Sequence, residues 1–252
     1  MARQTGIIKL AGTIGNITFY KTQDGYLAKE KTSLDATRIA TDPNFVRTRE
    51  NGVEFGHAAK VASTLRLAFR SVIQTNRDNR MVSRLTQRMI AVVYADETSV
   101  RGQRNIMDGE TELVEGFQFN IKAPLSTTLN APYTASIDRV TGICRVDIPI
   151  FIPTNMITAP PGATHFKFTS GASSIDFEAK VFTTDAHESD MLPLSNVPTP
   201  LIDLSCIVLP ASVHPLFLLF GIEFYQSVNK EFYPLRNGSY NALSAVKVSG
   251  GV

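Results

Sequence analysis

Histidine, cysteine and clustered carboxylates make most metal sites and nucleophiles, and this sequence offers few of them. Its four histidines, His57, His165, His187 and His214, are scattered along the 252 residues. Asp185, His187, Glu188 and Asp190 lie close enough in sequence to share a divalent ion. Their spacing fits no ligand loop of defined geometry, so the run reads as an acidic surface loop. Ser205-Cys206 sets two nucleophile types side by side, but no histidine stands near them in sequence to serve as base. Cys144 and Cys206 match no metal spacing and fall in alternating apolar stretches, which predicts buried free thiols rather than a disulfide. Neither G-x-x-x-x-G-K-S/T nor G-x-G-x-x-G occurs, so Gly12 and Gly15 read as turn and close-packing residues. No catalytic residue, cofactor or metal ligand is expected, and the chain reads as a non-enzyme.

Charge is more informative. Arg77, Arg80, Arg84 and Arg88 recur at spacings of three, four and four, a stripe on a helix face. Residues 38–90 hold ten Lys or Arg against four Asp or Glu, +6, while the chain as a whole is only +2. Three readings of this asymmetry stand side by side: a solvated helix face, a seam paired with acidic residues of a neighbouring subunit, and a nucleic-acid contact. A sequence pI near 8.5 is low for a dedicated nucleic-acid binder.

The elements that must position these residues follow in chain order. Ile17, Phe19 and Lys21 alternate with Thr18 and Tyr20, Gln23-Asp24-Gly25 supplies a tight turn, and Tyr26 to Lys29 returns: a β-hairpin. A polar connector is expected at 32–40. Asp42-Pro43 then opens a helix. Phe55, Ala58, Ala62, Leu65, Phe69 and Val72 form its apolar face, and Gly52 and Gly56 mark a break or a close backbone approach. Asn76 or Asp78 caps a second helix with the stripe Met81, Leu85, Met89 and Val92 or Val93. Beyond a polar stretch at 97–112 the period becomes two. Alternation predicts strands at Phe117–Ile121, Val146–Ile152, Phe166–Phe168, Ile175–Val181, Leu204–Val208, Leu216–Tyr225 and Leu243–Val248, with an exposed loop at Asp185–Pro200.

Hydrophobic residues at 43% and charged residues at 19% are ordinary for a soluble globular protein, and without tryptophan the core relies on fifteen phenylalanines. The longest apolar run, Leu216 to Ile222, is too short to span a bilayer. The Met-Ala-Arg start lacks an apolar segment, so synthesis in the cytoplasm without a secretory signal is expected, with any extracellular or virion-associated location reached by another route.

The segments TIGNITFYKTQDGYLAKEK (13–31), RIATDPNFVRTRENGVEFG (38–56), RGQRNIMDGE (101–110), GFQFN (116–120), GATHFKF (162–168) and GIEFYQSVN (221–229) together resemble a family of uncharacterised proteins encoded in Bacteroidota genomes. The resemblance covers most of the chain. It implies a bacterial source, and it carries no activity and no site residues across.

The expected fold is α+β, mainly β: a hairpin arm and connector at 1–40, an arginine-rich helical pair at 41–96, and an Ig-like antiparallel β-sandwich at 97–252. A lone hairpin is marginal in water. The expected function is therefore a structural subunit, self-associating into a filament, surface or virion-like assembly through Ile17, Phe19, Tyr20 and Tyr26 with Arg77, Arg80, Arg84 and Arg88. The alternatives are a nucleic-acid-binding or packaging protein using the arginine stripe, and a carbohydrate- or receptor-binding β-module using Tyr225, Tyr233 and Tyr240.

Overall fold

The structure, a computed structural model, describes residues 1–31 and 35–251, with 236 and 237 described in backbone only. It divides into two compact units, Met1–Arg49 and Glu50–Val252. The first holds an antiparallel sheet of β1 (Ala2–Arg3), β2 (Gly12–Ile14), β3 (Ile17–Thr22) and β4 (Gly25–Glu30) in the order β1-β4-β3-β2. Thr22 and Gly25 close the expected hairpin, and Gly25 takes φ +116°, open to glycine and hostile to other residues. The connector expected at 32–40 lies partly outside the described residues, and its second half is helical: α1 (Ala36–Thr41), capped by Asp35. Asp42 then accepts the Asn44 N–H at 2.9 Å and opens a short turn of 3-10 helix at Pro43–Phe45.

The second unit is layered. Its central sheet contains β7 (His165–Asp176), β8 (Val181–Glu188), β9 (Leu192–Pro193), β11 (Leu216–Val228), β12 (Glu231–Pro234) and β13 (Ala242–Ser249). A smaller sheet of β10 (Ile202–Ile207), β6 (Ile143–Ile148) and β5 (Thr134–Asp138) covers one face, and every ladder is antiparallel. Helices α2 (Val46–Ala68), α3 (Arg70–Gln74) and α4 (Met81–Tyr94) supply side chains to the core on the other face. The apolar character of β11 follows. Leu216, Leu218, Phe220, Ile222 and Phe224 enter the core against the small sheet, while Phe217 and Leu219 enter the core against the helices. A strand covered on both faces has no polar side to display.

β7 is covered in the same way, and it packs by being small. Thr169, Ser170, Gly171, Ala172, Ser173 and Ser174 are all buried. A Cβ on Gly171 would stand 3.0 Å from Val72 of α3, so the strand and the helix meet in direct contact. The strand expected at Phe166–Phe168 thus runs on to Asp176, and the one expected at Ile175–Val181 is instead the end of β7, a turn at 177–180 and the first residue of β8.

The helical stripe shows one exchange. Ala58, Ala62, Leu65, Phe69 and Val72 are buried, but Phe55 is 55% exposed and Glu54 is buried in its place. Glu54 lies in line with Ala58, Val61, Leu65 and Ala68, and its carboxylate accepts the Gly102 N–H at 2.8 Å. The helix continues through Gly52 and Gly56, where an added Cβ would meet nothing within 4 Å, so neither glycine marks a break or a close approach. The interruption comes instead at Phe69 (φ −100°, ψ 25°), between α2 and α3.

Other expectations shift too. Asp185–Glu188, placed in a loop, belong to β8, and the Asp185 carboxylate accepts the Ile207 N–H at 2.8 Å, tying β8 to the edge of β10. Residues 117–121 form no regular strand. They lie along β13 through Phe119 N–H to Leu243 O (2.9 Å) and Ala245 N–H to Phe117 O (3.0 Å). The helices from Glu50 onward share a unit and a core with the β-structure, so the division at residue 96 separates no independent element.

Two glycine substitutions probe this packing in opposite directions. Gly221→Ala would put a Cβ 2.3 Å from the Ala242 carbonyl oxygen, so unfolding midpoints should show a loss of about 1–3 kcal/mol. Gly56→Ala meets no atom in α2 and should gain roughly 0.5–1 kcal/mol, read by the same denaturant titration.

Candidate functional site

The residues expected at an assembly interface separate in the structure. In the N-terminal sheet, register places Gly12, Phe19 and Ala28 side by side, with Ile14 beside Ile17. Strand alternation then puts Ile14, Ile17, Phe19, Tyr26 and Ala28 on one face. Tyr20 lies on the other with Leu27, and the Lys29 ammonium sits over its ring at 5.7 Å. Among the described residues of Met1–Arg49 no side chain is buried, and Ile7, Ile8, Ile14 and Ile17 are all exposed.

The arginine stripe has different tasks at each position. Arg84, half-buried, donates to Gln118 O at 2.6 Å and Phe119 O at 3.3 Å, pairs with Asp78, and stands 5.2 Å over the Phe117 ring. Asp78 also accepts the backbone N–H of Arg80 (2.7 Å) and Ile121 (2.9 Å). Burial pushes its carboxyl upward, but those N–H groups and Arg84 outweigh it and hold Asp78 below the usual carboxylate range. Arg84 is therefore an internal brace fixing 117–121 to α4, and it is unavailable to a partner. Arg80 is exposed ahead of α4, and Arg88 lines a shallow groove with Arg84, Gln87 and Phe117. Arg77 joins two arginines that the stripe omitted: with Arg66 of α2 and Arg70 of α3 it lines a cleft of about 390 Å³ where α3 gives way to α4. Arg66 and Arg70 stand four residues apart in the sequence, and the turn after Gln74 brings Arg77 to the same cleft.

A buried polar knot lies at the end of the central sheet. Glu223 of β11 accepts from Thr75 Oγ1 (2.8 Å), Asn76 Nδ2 (2.8 Å) and the Tyr225 hydroxyl (2.7 Å), with Lys167 Nζ at 3.6 Å. Burial raises the Glu223 carboxyl, yet these donors and the Lys167 charge leave it below its ordinary value. Burial and the neighbouring Glu223 push the Tyr225 hydroxyl up to about 12. Asn76 Nδ2 also donates to Val72 O at 2.8 Å, so Asn76 finishes α3, while Asp78 serves the start of α4. The knot joins the helical layer to β11.

The remaining reactive types stay apart. His57 accepts the Ile106 N–H at 3.3 Å, His165 meets the Phe232 ring edge-on, His187 lies 3.3 Å from Asp185, and His214 lies 3.8 Å from Asp176. Burial and Lys60 lower the His57 value, keeping it neutral near pH 7. Among the described residues no group of three His, Cys, Asp or Glu is placed to hold a metal ion. Cys144 and Cys206 are cross-strand partners on β6 and β10, free and buried, and burial pushes the Cys144 thiol up to about 12. Of the three tyrosines considered for a ligand surface, Tyr225 and Tyr240 are half-buried and Tyr233 is exposed. Among the described residues no helix is long and apolar enough to cross a membrane.

No family model and no curated protein matches the chain. Among solved structures it is similar to the human F-spondin reeler domain, at 13% identity and a TM-score of 0.16, over 49% of this chain and 96% of that one.

Glu223→Gln should leave donors of the knot underused and lower stability by about 1–3 kcal/mol at neutral pH. Because the folded value of Glu223 lies below its unfolded value near 4.5, its contribution is present above that pH and fades as acid protonates the folded carboxyl. Denaturant titrations down to pH 3 (roughly one unit below a free carboxyl) should therefore show the gap between wild type and variant closing.

Proposed function

We propose that the chain is a non-enzymatic structural subunit that joins copies of itself through the Met1–Arg49 unit. The observation that carries this reading is a four-stranded sheet without one buried side chain among its described residues. Sheets gain their stability by covering an apolar face, and an uncovered one marks an interaction site. Here that face carries Ile14, Ile17, Phe19 and Ala28.

A second copy fits the face because its charges complement each other under a two-fold. Glu30 pairs with Ile17 at one end of the hairpin and Lys21 pairs with Tyr26 near the other. Stacking two such faces about a two-fold axis lays each Lys21 toward the partner's Glu30, the self-complementary arrangement of an isologous contact. The apolar stripes of α2 and α4 are enclosed in their own unit and offer a neighbour little.

The test is mass by light scattering across protein concentration. The full chain should associate, and Ile14→Asp with Ile17→Asp, or deletion of residues 1–31, should reduce it to a monomer. Lys21→Glu and Glu30→Lys should each weaken association, and the double exchange should restore it. A mass unchanged by any of these variants overturns the reading.

A further inference from the structure

The cleft lined by Arg66, Arg70 and Arg77 has a composition that neither the core nor the proposed N-terminal contact accounts for. Arg66 is half-buried, and its Nε donates to Ala62 O at 3.3 Å within its own helix, which leaves its terminal NH2 groups free. Arg70 and Arg77 are exposed and make no ion pair or hydrogen bond with the described residues. Elsewhere the chain usually gives its arginines an acceptor: Arg38 has Asp42, Arg84 has Asp78, Arg101 has Glu50, Arg145 has Asp147 and Asp203. No Asp or Glu lines this cleft among the described residues. Its other polar lining groups, Ser63 and Gln74, are also hydrogen-bond donors. Three cations lining one cleft without a counter-charge repel one another, and an anion in the cleft would remove that repulsion.

We infer that this cleft binds the phosphodiester backbone of a nucleic acid. Planar guanidinium groups take phosphate oxygens two at a time, and serine and glutamine side chains are common additional backbone donors. No aromatic ring lines the cleft, so it has no platform on which bases would stack. Contact is therefore with phosphates, and binding is independent of sequence. The site differs from the stripe of Arg77, Arg80, Arg84 and Arg88: Arg84 is committed to Asp78 and the 117–121 segment, and Arg66 and Arg70 take its place.

The experiment is fluorescence anisotropy of the full chain with labelled single-stranded and duplex oligonucleotides of mixed sequence. Three phosphate contacts predict an affinity that falls about 20- to 40-fold between about 50 and 200 mM salt. The variant Arg66→Gln/Arg70→Gln/Arg77→Gln should lose most of that affinity and that salt dependence, with an unchanged thermal melt. The Lys triple variant should keep much of the binding, and Arg88→Gln should leave it within about twofold. Lys21→Glu, which tests the N-terminal contact, should leave the intrinsic affinity for a short oligonucleotide intact, so either proposal can fail without the other. Absence of binding at low salt, or equal binding by the Gln triple variant, overturns the inference. So does binding of inorganic phosphate without the oligonucleotide, which would assign the cleft to a free phosphate. A Gln triple variant that changes the mass of the assembled protein but not its oligonucleotide affinity would assign it to a protein surface instead.

Discussion

Burial of the central sheet on both faces is the constraint from which most of the larger unit follows. β11 meets it with bulk, sending Leu216, Leu218, Phe220, Ile222 and Phe224 one way and Phe217 and Leu219 the other. Its neighbour β7 answers with small side chains from Thr169 to Ser174, whose hydroxyls find partners within the sheet and its loops: Ser170 to Leu219 O, Ser173 to Thr184, Ser174 to Ser212. Two bulky strands side by side would hold both covering layers away, whereas a bulky strand beside a slender one lets Phe69 and Val72 settle against Gly171. The register shift between Leu218 and Leu219 serves the same end. It lets Ala245 and Val248 of β13 both face the helices, where unbroken alternation would turn one of them away.

Where the burial reaches the end of the sheet, the physics changes from packing to charge. Glu223 continues the helix-facing row of β11 beyond Phe217, Leu219 and Gly221, and a carboxylate there needs donors on several sides. It gets them from Thr75, Asn76, Tyr225 and Lys167, which belong to the inter-helix turn and to both central strands. The same logic fixes the other side of the turn, where Asp78 gathers Arg80, Arg84 and Ile121. Two acids thus set the path of the chain between α3 and α4. That path brings Arg77 beside Arg66 and Arg70, so the exposed cationic cleft depends on two internal carboxylates.

Much of this was legible in the sequence, for reasons that are local. The hairpin turn at Gln23-Asp24-Gly25, the stripe Met81, Leu85, Met89, Val92 and Val93, and the apolar run of β11 are each one period read along one element. What escaped depends on two elements at once. β7 hid because a strand slender enough for double coverage loses the alternation that marks strands. Asp185 and its neighbours looked like a loop because β8 is an edge strand with polar exposed positions, and only the Ile207 N–H explains the carboxylate there. Phe55 and Glu54 exchanged places because a hydrophobicity count favours the phenylalanine. The half-buried Gly102 N–H that decides the matter lies nearly fifty residues away in the sequence. The arginine stripe was only half a helix face, since Arg77 and Arg80 precede α4, and helical spacing says nothing about which guanidinium meets a carbonyl.

The two units therefore stand in different relations to water. Glu50–Val252 encloses apolar layers on both sides of its sheet, and its stability is intramolecular. Met1–Arg49 orders a sheet through backbone hydrogen bonds and surface contacts alone, such as the Gln4 side chain bridging Leu10 and Leu27 and the lysines resting on Tyr20 and Tyr26. Such contacts are each worth only a fraction to about one kcal/mol, against a backbone ordering cost of similar size for every residue fixed. A sheet in that balance gains most from whatever covers Ile14, Ile17 and Phe19. Covering those side chains with a second copy couples the order of the N-terminal unit to protein concentration, as in any association that stabilises only the folded form. On the proposed self-association, the larger unit would stay folded as a single chain, and the smaller one would gain its cover only when a second copy binds.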